Sequence, residues 1–550
     1  MWLLLVAFVG LTFAIYAPAL DGSFISDDEH YVEKNVYVHD PTGENLVAIL
    51  DPGSALTLLV ENYAPVHLLL HAAQWQFFGP EVRGYHVVNL LLHALAAWLL
   101  FRLFLLTGIA PLAAALGCAF FLVHPANVEA VAWISQLKTS AAMVLALGAL
   151  LAHPRRPALA ALLFGLALLA KPTAIVALPV VVALGWVRSR KQAAAPVDWH
   201  WKWVAGWSVL LAAFALAEWM AFSSTAGQAP PFYAELDVRL RSVLANALRY
   251  LVRAVSGFGV SVFQEPPPAD SWRDPWWLAS LPLLAALGWR TLFTLRRGRY
   301  EAVWWIFAIA GFAPISGVIP LPYPMADRYL YFMLPGLIGG SLLAGPELAR
   351  AVANALRHAE PSPRACLRAR SVGAVLSGVA IVFFSLQSYE RSHVWQRLEF
   401  FMAEAARNYP EGVVAKTREA SRAALEGNAH AAVAALRAAR ARGYNRLDNV
   451  NRDPAYRRIA AEPVFRELIA QWASEETARL EKNLQPSQQA LRVLAQYYLV
   501  QDDLAAAERS IRRAIERGGP LDEKVRVDLE QIERQKRIRG LSSGGSIPRR

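Results

Sequence analysis

About eleven stretches of this 550-residue chain are apolar for long enough to matter to a bilayer: 2–20, 85–106, 110–123, 130–152, 157–170, 172–187, 203–222, 276–294, 301–320, 329–345 and 371–388. A helix needs roughly 17–25 apolar residues to cross the hydrocarbon core, so most of these read as spanning helices. The runs at 110–123 and 157–170 are short and fit one hairpin or a re-entrant piece as well as two spans. The chain is 55% hydrophobic and only 18% charged, against roughly 25% charged for a soluble domain. The charge concentrates after residue 390, where Ala, Arg and Glu dominate. The expectation is an all-α polytopic membrane domain over 1–388, with outer loops at 21–84 and 223–275, and a helical tail over 389–550.

The first run has no Lys or Arg before it and no clear cleavage site after it, so it reads as a retained helix and not a signal peptide. Basic clusters at Arg155-Arg156, Arg188-Ser-Arg-Lys191, Arg296-Arg-Gly-Arg299 and Arg357 to Arg370 all fall on one side of an eleven-span chain. The positive-inside rule makes that side cytoplasmic. The acids and cations discussed below then share the opposite face, and the tail is extracytoplasmic. These loops account for most of the net charge of +11, and no nucleic-acid partner is expected. Cys118 and Cys366 should sit in different parts of the molecule, so no disulfide is expected, and no Cys/His set has metal-ligand spacing.

Within the first loop, 66–78 has helical apolar spacing but cannot span, which suits an interfacial helix. Pro230-Pro231 and Pro266-Pro-Pro268 stiffen the second loop into a lid or groove wall. In the tail, segments 413–426 and 429–442, and again 487–500 and 503–517, make two Ala-rich pairs of tetratricopeptide size. A plain helical bundle explains them equally well.

Ionisable residues at a membrane boundary are costly and usually functional. Asp27 and Asp28 follow the first run; either can be a general base, a metal ligand or a helix cap. His124-Pro-Ala-Asn-Val-Glu-Ala-Val-Ala-Trp-Ile134 sits between two apolar runs. Glu129 suits a helix start and, four residues from Trp133, shares a helix face with it. Lys171 splits an apolar run before Pro172; Lys138 has snorkelling as its plain role. Arg328, between Asp327 and Tyr329, has the planar fork that grips a phosphate, with a salt bridge to Asp327 or a first-loop acid as its plain role. Acids to activate a nucleophile and cations to hold a phosphate suit transfer from a phosphate-linked lipid carrier.

In order along the chain, Asp27-Asp28, Pro65-Val-His67, Gly84-Tyr-His-Val-Val-Asn89 with His93, the His124–Trp133 string, Ala170-Lys-Pro172 and Ala326-Asp-Arg-Tyr-Leu-Tyr331 resemble the transmembrane and tetratricopeptide-repeat O-mannosyltransferase family, in a bacterial version. The resemblance implies a GT-C glycosyltransferase of the bacterial inner membrane. Such an enzyme moves mannose or another hexose, with inversion, from a polyprenyl-phosphate donor to Ser/Thr hydroxyls of a protein or peptide acceptor bound by the tail. It implies Asp27 or Asp28 as base and Arg328, Lys171 and Lys138 on the donor phosphate. Glu129, Trp133, His124, Tyr329 and His67 are then the candidates for sugar or acceptor contact. No cofactor is certain, and room is left for a divalent metal. The chain departs from the family at Gln136-Leu-Lys-Thr139, where the family carries a basic-acidic pair. An oligosaccharyl- or lipid-modifying GT-C transferase and a non-enzymatic scaffold presenting repeats are the alternatives.

Overall fold

The computed structural model describes residues 2–60, 62–191, 199–223, 235–319, 321, 323–357, 363–482, 486–519, 521–538 and 540, without the side chains of 58, 59, 352–357 and 363–371. Pro230-Pro231, the 358–362 part of the last basic cluster and the Cys366 side chain lie outside it. Among the described residues every regular element is helical.

Among the described residues each of the eleven apolar runs is mainly helical. Eight of the described helices pass as membrane spans: Trp2–Asp21, Val82–Leu106, Ile134–Ala152, Pro172–Lys191, Trp201–Ala221, Pro275–Arg296, Asp327–Ala351 and Val372–Trp395. The run at 110–123 is one arm of a bent pair, Pro111–Val123 with Pro125–Ala132, which meet at 52°. Pro125 causes the break, because it has no N–H to continue the first helix and its ring disfavours helix at His124. The run at 130–152 therefore starts four residues later than expected, at Ile134. Pro157–Ala170 is a separate short apolar helix. The run at 301–320 is shorter than a span: apolar helix stops at Ile315, where Pro314 ends it and Gly317 turns the chain with φ +82°.

Small residues set one close helix contact. A Cβ on Gly336 would lie 2.2 Å from the Ala308 backbone nitrogen and 2.5 Å from the Trp304 carbonyl oxygen, and one on Gly339 would strike the Trp304 ring. Glycine lets helices Glu301–Phe312 and Leu330–Arg357 approach backbone to backbone, a common membrane packing device. Gly336→Ala should therefore cost about 1–3 kcal/mol of stability. Gly345→Ala, on the same helix with open space around it, should be neutral. Thermal unfolding of the two variants in one detergent checks this; equal midpoints would remove the contact from the account.

The chain forms two compact units, Met1–Glu29, Ala64–Ala215 and Pro231–Glu404 in one, and His30–Tyr63, Leu216–Pro230 and Ala405–Arg550 in the other. The division falls at 404 and not at 388 because helix Pro363–Ser392 runs on past the apolar run. Its Arg391 then bonds Glu404 at 2.6 Å and Asp327 at 2.8 Å, which keeps the stretch up to 404 with the membrane helices. Part of the first loop, 30–63, groups with the tail.

In the second unit the expected pairs are present as Val413–Leu425 with Ala429–Ala441 and Gln488–Val500 with Leu504–Arg517. Asn428 and Asp503 cap the second helix of each pair, accepting from Ala431 N at 3.0 Å and Ala506 N at 2.8 Å. One core gathers Ala424, Leu436, Tyr456, Trp472 and Leu494; another gathers Leu491, Ala507, Ile511 and Ile532.

Candidate functional site

Asp27 and Asp28 follow a turn in which Ser26 has φ +54°. A non-glycine residue in that region is uncommon, and such strain gathers at functional sites. The turn sends the two carboxylates opposite ways. Asp27 is exposed and Asp28 is fully buried. Asp28 accepts from Ile25 N at 3.0 Å, from Ser135 N at 2.8 Å and from the Ser135 hydroxyl. Burial pushes its carboxyl up to about 7, against those hydrogen bonds.

The folded chain thus holds the Asp28 proton more tightly than the unfolded chain, whose carboxyl titrates near 3.8. Its contribution to stability is full below that value and is lost as pH rises through about 7. In the Asp28→Asn variant the amide NH₂ would face either the Ile25 N–H or the Ser135 donors. The substitution should therefore lower stability and flatten this pH dependence. Unfolding midpoints from pH 5 to 9 for both proteins test it; parallel curves would refute it.

The partner of the acid loop is the segment after the 52° bend. His124 accepts from Ala126 N at 3.2 Å through Nδ1, and its Nε2 lies 3.2 Å from the Ala254 carbonyl. Both ring nitrogens are thereby engaged in holding the bend. Asn127 donates to the Phe121 carbonyl at 2.7 Å. The helix after it, Val128–Ala132, ends before Trp133, which is extended at φ −80° and ψ 123°. Glu129 and Trp133 therefore do not share a helix face as their spacing suggested. Trp133 donates to the Ile25 carbonyl at 3.3 Å, stacks on Trp395 at 5.4 Å, and is held by Asn89 at its carbonyl, 3.1 Å away.

Glu129 and Trp133 meet instead through Arg328. The buried Glu129 carboxylate takes the Arg328 backbone N–H at 2.8 Å with one oxygen and the guanidinium with the other. The guanidinium carbon lies 5.6 Å from the Trp133 ring centre, 5.8 Å from Tyr323 and 5.1 Å from Tyr329. Its side chain stays 15% exposed. Asp327, the partner suggested by adjacency, points elsewhere. It accepts from Ser261 N, Gln264 Nε2 and Arg391 Nη2, each at 2.8 Å, with Arg253 at 3.4 Å. Glu129 thus acts on Arg328 before it can act on a sugar.

Lys171 is buried between two short helices and donates to Thr139 Oγ1 at 2.6 Å and to Gln136 Oε1 at 3.4 Å. Burial and the positive charges of Lys138 and Arg328 hold its ammonium well below the usual lysine range, while Glu129 opposes them. On helix Pro65–Phe78, His67 lies 2.8 Å from His71, ring nitrogen to ring nitrogen. Burial, His71, Lys138 and Lys171 together disfavour its charged form. Lys171 thus feels two further cations, Lys138 and Arg328, together with the Glu129 carboxylate. Such a cluster attracts an anion. Gln136 and Thr139, marked in the sequence only as a departure from the family, hold Lys171, while Ser135 holds Asp28, and Asn89, quoted only as part of a motif, holds the Trp133 carbonyl. Among the described residues no group of three or more His, Cys, Asp or Glu forms a metal-ligand set.

Fold and site together define a polytopic all-helical membrane protein that gathers an acidic turn and a cation cluster around one broken helix. The chain is 34% identical over 185 residues to Protein O-mannosyl-transferase Tmtc1 of Drosophila melanogaster, a match covering 30% of this chain and 21% of that protein. It thus spans about a fifth of the length of that relative. No protein-family model and no solved structure matches.

Proposed function

We propose that this chain is an inverting glycosyltransferase that moves a hexose, mannose first among them, from a polyprenyl-phosphate donor to Ser/Thr hydroxyls of a protein acceptor. The observation that carries the reading is the double use of residues 124–136. Through Ser135 this segment holds Asp28, and through Glu129 it holds Arg328. An acid and a phosphate-binding cation are thereby fastened to one short segment. The similarity to part of an O-mannosyltransferase supports the sugar and the acceptor.

In this scheme Asp27, the exposed acid, takes the acceptor hydroxyl proton as that oxygen attacks the anomeric carbon. The bond from that carbon to the donor phosphate oxygen breaks on the opposite face. The departing polyprenyl phosphate keeps the electron pair, and Arg328, Lys171 and Lys138 stabilise it. Cations already in place where charge develops are a major source of rate enhancement, because nothing has to reorganise during the reaction. Asp28 fixes the turn that presents Asp27; Trp133, Tyr329, His67 and His124 shape the walls. The tail pairs offer a tetratricopeptide-like groove for the acceptor, outside the cytoplasm.

Purified protein in sealed vesicles, given polyprenyl-phosphate mannose and a Ser/Thr peptide, tests this by mass spectrometry of the peptide. Hexose on the peptide from the tail-exposing side supports it. Hexose on lipid alone would move the chain to the lipid-modifying class, and no transfer from several donors would leave the scaffold reading.

A further inference from the structure

The four basic loops have no part in that chemistry, and two of them converge. Helix Ala177–Lys191 starts near Lys171 and, over its 15 residues, carries the chain roughly 22 Å away at ~1.5 Å per residue. There it meets the turn between helices Pro275–Arg296 and Glu301–Phe312. Gly298, at φ +62°, makes that turn, and a Cβ on it would lie 3.0 Å from the Arg190 side chain.

Aromatic rings hold the cations in place. Arg190 lies 5.0 Å over Trp186, Lys191 4.2 Å over Tyr300 and Arg297 4.1 Å over Phe293. Two acids of this region, Glu301 and Glu347, are already taken. Arg290 bonds both, at 2.7 and 2.8 Å, and Arg299 bonds Glu347 at 2.6 Å. Arg190, Lys191, Arg296 and Arg297 are exposed and form no ion pair among the described residues. Buried Nε of Arg188 has no acceptor among the described residues. A basic residue in a last helical turn is explained by the helix dipole, but the dipole does not explain two helix ends brought side by side with these cations unpaired among the described residues. Just inside them the same helices expose Val182, Trp186, Trp289 and Leu292, an apolar apron below a cationic rim.

We propose that these two helix ends form a binding site for the phosphate of an anionic lipid headgroup, with its acyl chains lying along Trp289 and Leu292. A free phosphate shares the headgroup chemistry but has no use for the apron. The site stands independently of the transferase reading.

The test uses the full chain, purified in neutral detergent and titrated with phosphatidylglycerol or phosphatidylcholine, with bound lipid read by native mass spectrometry. Each cation near a membrane surface strengthens anionic-lipid binding by roughly fivefold. Arg296→Gln with Arg297→Gln should therefore weaken phosphatidylglycerol binding by roughly 25-fold and leave phosphatidylcholine unchanged, while the double Lys variant keeps binding near wild type. Equal phosphatidylglycerol retention by the Gln variant would overturn the site. Displacement of the lipid by millimolar inorganic phosphate would also overturn it, in favour of a free-anion site. If the Gln variant does not fold, the wild type decides: no preference for phosphatidylglycerol over phosphatidylcholine would be enough to reject it.

Discussion

Asp27→Asn should lower sugar transfer by about 10²–10⁴-fold, the usual loss when a general base is removed, while donor affinity and unfolding midpoint stay at wild-type values. The side chain is exposed, so the isosteric amide perturbs little packing, and surface changes of this kind usually move stability by less than about 0.5 kcal/mol. Asp28→Asn should behave differently. Its carboxylate joins Ile25 to Ser135, so its loss should act through the shape of the turn, with lower stability and partial activity. Single-turnover rates on purified, folded variants separate the two. Near-normal turnover by Asp27→Asn, with a well-folded but inactive Asp28→Asn, would hand the base role to the buried acid.

Arg328 should show the second large effect. Arg328→Lys keeps the charge but cannot reproduce the fork that spans Glu129 and a phosphate. A lost hydrogen bond to a charged group is worth ~1.5–3 kcal/mol, so donor affinity should fall roughly ten- to a hundredfold. Arg328→Ala should lose more. It also strands the fully buried Glu129 carboxylate, and breaking such a pair costs ~3–5 kcal/mol, so its folding will suffer. The lysine variant is the one that decides. Donor affinity at the wild-type level in folded Arg328→Lys would reduce Arg328 to a structural partner of Glu129.

The apolar runs were legible because a bilayer leaves a helix no other way to satisfy its backbone. Legible too were the tail pairs, whose Ala-rich faces repeat at helical spacing. Helix Leu236–Ser256 was not. Arg241, Arg249 and Arg253 interrupt its apolar pattern, yet all three are buried against loop 259–270, as where Arg241 donates to the Ala269 carbonyl at 2.9 Å. Partner choice within the site was equally hidden. Adjacency offered Asp327 to Arg328, whereas the true partner is Glu129, 199 residues away. Which acid faces outward hangs on the left-handed Ser26, and a serine, unlike a glycine, announces no such turn.

The broken helix also bears on how the site comes into being. Residues 124–136 leave the ribosome about a hundred residues after the turn they clasp and about two hundred before Arg328. The acidic half can close while the chain is still being made, but Glu129 must wait for its guanidinium partner until the tenth apolar run is inserted. A chain cut between residues 136 and 328 would hold a finished half-site and a Glu129 carboxylate without its guanidinium. Supplying the missing C-terminal fragment separately should complete both at once.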